Sequence, residues 1–135
     1  MKRVLFLLGA LAGFSCVPAV AQQPQMNCGD PQTQIEMTMC AGEDLAEADK
    51  ALNAAYQALR KLTKARDADA GEGQAGFDTA LVKAQRAWVA YRDSWCEAFA
   101  YQAHGGTMEP QLNAECQAEL TRKRTDQLKA LADNL

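Results

Sequence analysis

Residues 85–96 read Gln-Arg-Ala-Trp-Val-Ala-Tyr-Arg-Asp-Ser-Trp-Cys. Trp88, Tyr91 and Trp95 recur at spacings of three and four, which sets them on one face of a helix. Arg86, Arg92 and Asp93 stand beside them and Cys96 closes the stretch. The row continues outward through Phe77, Leu81 and Ala84 on one side and Ala98, Phe99 and Gln102 on the other, so a helix is expected from about 77 to 103. The chain has only four Phe, two Trp and three Tyr, and Phe6 and Phe14 fall in the leader. An aromatic row this large a share of the total is expected to be core. Arg86, Arg92 and Asp93 are expected to bond across helices to Glu36, Asp49, Asn53 or Tyr56, fixing their register.

Toward the N-terminus, Asp67 to Gly76 is the clearest break: three glycines and no large apolar side chain mark a solvated connection. Asp67, Asp69 and Asp78 stand at calcium-loop positions one, three and twelve. Gly71 at five, Glu72 at six and an Asp at twelve break that template, so no metal is expected. Before the break, Leu45, Leu52 and Leu59 recur every seven residues with Ala48, Ala55 and Leu62 between them, the stripe of a long helix. Thr33 with Glu36 forms a capping box that starts a helix and would carry Ile35 and Met39 inward, with Gly42 a weak interruption.

Toward the C-terminus, His104-Gly105-Gly106-Thr107 ends the central helix and Glu109-Pro110 starts a third, with Leu112, Cys116, Leu120, Leu128 and Leu131 on its inner face. Cys96 lies ten residues before Gly106 and Cys116 ten after it. A helical hairpin brings them opposite each other, so Cys96–Cys116 with Cys28–Cys40 is the expected pairing of the three that four cysteines allow, the other two lacking this symmetry. The fold class is all-α: a three-helix antiparallel bundle stapled by two disulfides.

Lys2 and Arg3, the apolar run Val4 to Ala12 and Ala19-Val20-Ala21 have the form of a signal peptide over residues 1–21, cut before Gln22, followed by one domain, 22–135. Cys16 follows Ser15, but Gly13 stands where a lipid-attachment signal wants an aliphatic residue. No later run is long enough to span a membrane. A periplasmic or secreted location follows, and the four remaining cysteines fit disulfides better than a metal site. Beyond the leader, 12 basic side chains face 17 acidic ones, a formal charge of −5. That charge disfavours nucleic acid and favours a cationic protein partner. Chemistry has little material: one histidine, His104, and after the leader one serine, Ser94, without an activating neighbour along its helix. Glu43, Asp44 and Glu47, or Glu115 and Glu119, read as solvated acids rather than a glycosidase pair. No enzyme activity and no cofactor are expected.

The run Glu36-Met37-Thr38-Met39-Cys40-Ala41, followed by Glu43, Ala48-Asp49, Leu52-Asn53 and Tyr56, resembles the first signature of the LprI-type lysozyme inhibitor domain. The likeness continues in Ala84-Gln85-Arg86-Ala87-Trp88, Tyr91-Arg92-Asp93 and Cys96, and again in Cys116, Leu120-Thr121, Arg124 and Leu128. The resemblance implies a small exported helical domain that binds lysozyme, or another cationic envelope protein, at the bacterial envelope. The exposed tips would then carry the contact, through Asp67, Asp69, Glu72 or Glu109. A non-inhibitory interaction or scaffolding module is the rival reading, and a glycan-binding module is a third if the aromatic row proves exposed.

Overall fold

The computed structural model describes residues 27–135, so the leader and the candidate cleavage site lie outside the described residues. Three helices run in order: α1 over Gln34–Ala68, α2 over Phe77–Ala100 and α3 over Glu109–Asp133, with a 3-10 turn at Tyr101–Ala103 closing α2. No strand occurs among the described residues. Short connections make neighbours antiparallel. The bundle is the expected all-α one, stapled by Cys28–Cys40 and Cys96–Cys116.

Each helix begins for a local reason. At α1, the Thr33 hydroxyl accepts from the Glu36 N–H at 3.2 Å, and Glu36 accepts from the Thr33 N–H at 2.9 Å. This is the capping box, and α1 then runs unbroken through Gly42 to Ala68. At α2 the cap comes from the preceding helix. Asp67 accepts the N–H groups of Gly76, Phe77 and Asp78 at 3.0, 2.8 and 2.9 Å. Gly76 at φ 136° gives the backbone the turn that lets all three converge. At α3, Pro110 occupies the first turn, where its missing N–H costs nothing.

The centre is lean. Leu52, Leu59, Leu81 and Leu128 form the apolar cluster, packed by Ala55, Tyr56, Trp88, Ala132 and Leu135. Elsewhere the buried positions of α1 and α3 are small: Ala41, Ala48, Thr63, Ala118, Thr121 and Thr125. Small side chains let these two helices approach closely, and theirs is the most extensive packing in the molecule. α2 is the outlying helix and rests mainly on α3.

The rotation of α2 departs from the sequence expectation. Its buried row is Leu81, Gln85, Arg92, Cys96 and Ala100. Trp88 is half-buried, whereas Tyr91, Trp95 and Phe99 are 54%, 51% and 44% exposed. Adjacent helical residues point about 100° apart. With Cys96 aimed at α3 to reach Cys116, Trp95 is carried to the edge. Ile35 and Met39 are also turned outward, as are Leu62 and Leu131. At the start of α1, Gln34 faces α3 and donates to Gln111 at 2.6 Å, while Ile35 and Met39 lie on the side that no described residue covers.

Candidate functional site

The polar residues beneath α2 explain how it is held. Arg92 is buried and donates to Asp49 at 2.7 Å, to Thr121 Oγ1 at 2.9 Å and to Asp93 at 2.9 Å, so one guanidinium ties α1, α2 and α3 together. It also lies 5.3 Å from the centre of the Trp88 ring, and Arg124 of α3 lies 5.9 Å from it. Arg124 donates to the buried Gln85 at 3.0 Å, and burial pushes its pKa down from the usual guanidinium range. Among the described residues, every buried polar side-chain atom has a partner. Such satisfaction is what a polar seam needs to substitute for an apolar one.

The other polar residues singled out from sequence do not join this cluster. Glu36 is spent on the α1 cap, Tyr56 lies under Arg60 at 5.9 Å, and Arg86 faces a surface hollow beside Arg60 and Asp78. Asn53 is exposed. A second clamp was not anticipated: Arg60 grips Asp78 with two bonds of 2.8 and 2.6 Å, and Thr63 adds a third at 3.2 Å. The sequence signal for it was Asp78 in the first turn of α2, which reads as an ordinary helix-dipole acid.

The four acids placed at exposed tips divide in two. Asp67 is turned into its own loop, and three backbone N–H groups hold its carboxyl below the ordinary range. Glu109 accepts from His104 at 3.0 Å and from the Gly105 N–H at 2.7 Å, which lowers its pKa likewise. His104 in turn stacks on Tyr101 at 4.2 Å. Asp69 and Glu72 are exposed at the α1–α2 tip.

Between α2 and α3 lies a groove of about 320 Å³. Trp95 and Phe99 wall it on one side, and Leu112, Cys116 and Leu120 on the other, with Glu115, Glu119 and Lys123 at the rim. Cys116, which lines it, is bonded to the fully buried Cys96. Tyr91 continues the aromatic wall, its ring 6.4 Å from that of Trp95 and within 15° of parallel. Sequence periodicity identified these rings but assigned them to the interior.

Among the described residues no group of three or more His, Cys, Asp or Glu side chains is arranged to hold a metal. No described helix is long and apolar enough to cross a membrane. What the geometry offers is a disulfide-stapled helical bundle with exposed acids at one tip and exposed aromatic rings on one flank.

The chain is 44% identical over 120 residues to an uncharacterised protein of Rhizobium meliloti (strain 1021), covering 87% of this chain and 86% of that one. No solved structure matches it. The model of the family described as lysozyme inhibitor LprI matches residues 26–128, which takes in both disulfides, the Arg92 cluster and nearly all of α3. The chain therefore belongs to the LprI lysozyme inhibitor family.

Proposed function

We propose that this protein is an exported inhibitor of lysozyme, acting by surface binding without catalysis or cofactor. The observation that carries the reading is the family match over nearly the whole described domain. Two disulfides suit an oxidising compartment outside the cytoplasm. The excess of acids over bases favours encounter with a cationic lysozyme. Asp69 and Glu72 are the tip acids whose carboxylates are free of the loop bonds that engage Asp67 and Glu109, and they are the residues we assign to the partner contact.

The test is to titrate the oxidised, exported protein into lysozymes of several types while following cell-wall lysis and direct binding together. Saturable inhibition with one-to-one binding, weakened at least tenfold in D69K/E72K, is expected. Loss of lysis inhibition across all of them, with the protein folded, would leave a non-inhibitory envelope interaction module.

One observation favours a second reading, a glycan-binding module: the exposed, nearly parallel rings of Tyr91 and Trp95. A sugar stacked there would also need hydrogen-bonding side chains beside the rings. Co-sedimentation with insoluble peptidoglycan, abolished by Trp95→Ala, would establish it.

A further inference from the structure

Of the row on α2 that sequence periodicity marks for burial, Leu81 is buried and Trp88 half-buried, but its outer edge stays exposed in the single chain. Ala84, Ala87, Tyr91, Trp95, Ala98 and Phe99 lie along it, all exposed, and Gln102 ends it. Not one Asp, Glu, Lys or Arg occupies the row over more than four turns, in a chain where 23% of residues are charged. A helix face kept free of charge while its other faces carry Lys83, Arg86, Asp93 and Glu97 has the pattern of a seam awaiting a partner helix.

We propose that the seam is a self-association face: a second copy of this chain packs its α2 antiparallel against it, about a two-fold axis beside residue 93. The register follows from the sequence. Two antiparallel helices related by that axis pair residues whose numbers sum to 186. Tyr91 of one copy then meets Trp95 of the other, Ala87 meets Phe99, and Ala84 meets Gln102. Large rings meet across the axis, and alanines face large side chains on either side, as a self-complementary interface requires.

Charge selects this occupant over others. Two copies of a net-acidic chain repel, so they associate best through the least charged helix face; on α2 that is this row, with Glu115, Glu119 and Lys123 of α3 standing only at its edge beside Trp95 and Phe99. A cationic partner gains nothing from an uncharged row. Along the row itself a glycan finds alanines at 84, 87 and 98, and hydrogen-bonding side chains only at the Trp95–Phe99 edge. The three half-exposed rings offer on the order of 300 Å² per copy, and the smaller residues enlarge this toward the low end of specific interfaces. A weak dimer is the expected result. It does not depend on the inhibitory reading, since the antiparallel arrangement leaves the two Asp69–Glu72 tips at opposite ends.

Sedimentation equilibrium of the oxidised, exported protein from about 1 to 300 µM tests it, with dimerisation expected in the micromolar range. Ala87→Glu, at an exposed helical position, puts a carboxylate against Phe99 on both sides of the axis and is expected to weaken self-association at least tenfold. Gln57→Glu, an equal charge on the exposed side of α1, leaves it unchanged. Circular dichroism and melting of both variants verify that they fold. A monomer at all concentrations, or a dimer that Ala87→Glu does not weaken, would overturn the proposal. So would lysozyme or peptidoglycan binding lost in Ala87→Glu while the parent stays monomeric, because the face would then belong to that ligand.

Discussion

Asp67 shows how a single carboxylate can be diverted from contact to construction. Its three backbone donors favour the ionised form, so its folded pKa lies below the unfolded one. Asp78, gripped by Arg60, and Glu36, in the capping box, are shifted the same way. A group depressed on folding stabilises fully above its unfolded pKa and loses that contribution as pH falls through the folded value. Thermal stability is therefore expected to hold from neutrality to about pH 5 and to fall below about pH 4. Asp67→Asn should lower the melting temperature by roughly 5 °C at pH 7 and shrink the acid-side fall, because the amide oxygen can still accept from Gly76 and Phe77 but its NH2 faces the Asp78 N–H, and the group no longer titrates. Arg92 supplies the complementary case. Arg92→Ala empties a buried site, strands the Thr121 hydroxyl and leaves Asp49 and Asp93 without their cation. Both acids reach water, so the expected cost in urea unfolding is about 2 kcal/mol rather than the larger penalty of a fully buried break. Arg92→Met preserves volume without the bonds. If it kept full helicity, melting temperature and partner binding, the cluster would not be what sets helix register.

At the level of the elements, the strength of the two staples is expected to differ although their loops, 12 and 20 residues, predict similar entropic gains of roughly 3 kcal/mol. Cys28–Cys40 ties an exposed lead to the first turns of α1, and its loss frees chiefly that lead. Cys96–Cys116 joins the outlying helix to α3 through a fully buried sulfur at Cys96. Replacing Cys96 and Cys116 together by Ser should cost about 3 kcal/mol in global unfolding, and amide exchange should rise first along α2. The corresponding change at Cys28 and Cys40 should confine faster exchange to residues near 27–40. This division also marks where sequence was informative. The helix starts at Thr33 and Pro110, the break at 67–76 and both cysteine pairs were legible because each is decided by local chemistry or by chain reversal. The rotation of α2 was less so. Aromatic weight pointed to Trp95, yet Cys96 and Trp95 cannot both face the centre, and the covalent bond decides. Gln85 and Arg92 lie on the buried row but look polar, as do Thr63, Thr121 and Thr125, which occupy the close contact between α1 and α3. Their burial depends on partners from other helices, which no single stretch displays.

Across the whole molecule, the division of labour between a charged tip and an uncharged flank gives the inhibitory reading a kinetic signature. Exposed acids act over a Debye length, about 8 Å at physiological salt, and so govern encounter more than residence. If Asp69 and Glu72 meet a cationic lysozyme, the association rate should fall steeply as salt rises from about 20 to 300 mM, while dissociation changes little. D69K/E72K should slow association about tenfold at low salt and flatten its salt dependence, an outcome that stopped-flow or surface-plasmon kinetics would register. The α2 row has no charge to contribute, so Ala87→Glu should leave that slope in place whatever it does to self-association. Association that ignores salt and dissociation that responds to Trp95→Ala would mean that lysozyme reads the aromatic flank. The acids at the tip would then serve solubility alone, and the bundle would present its partner with packing surface rather than with field.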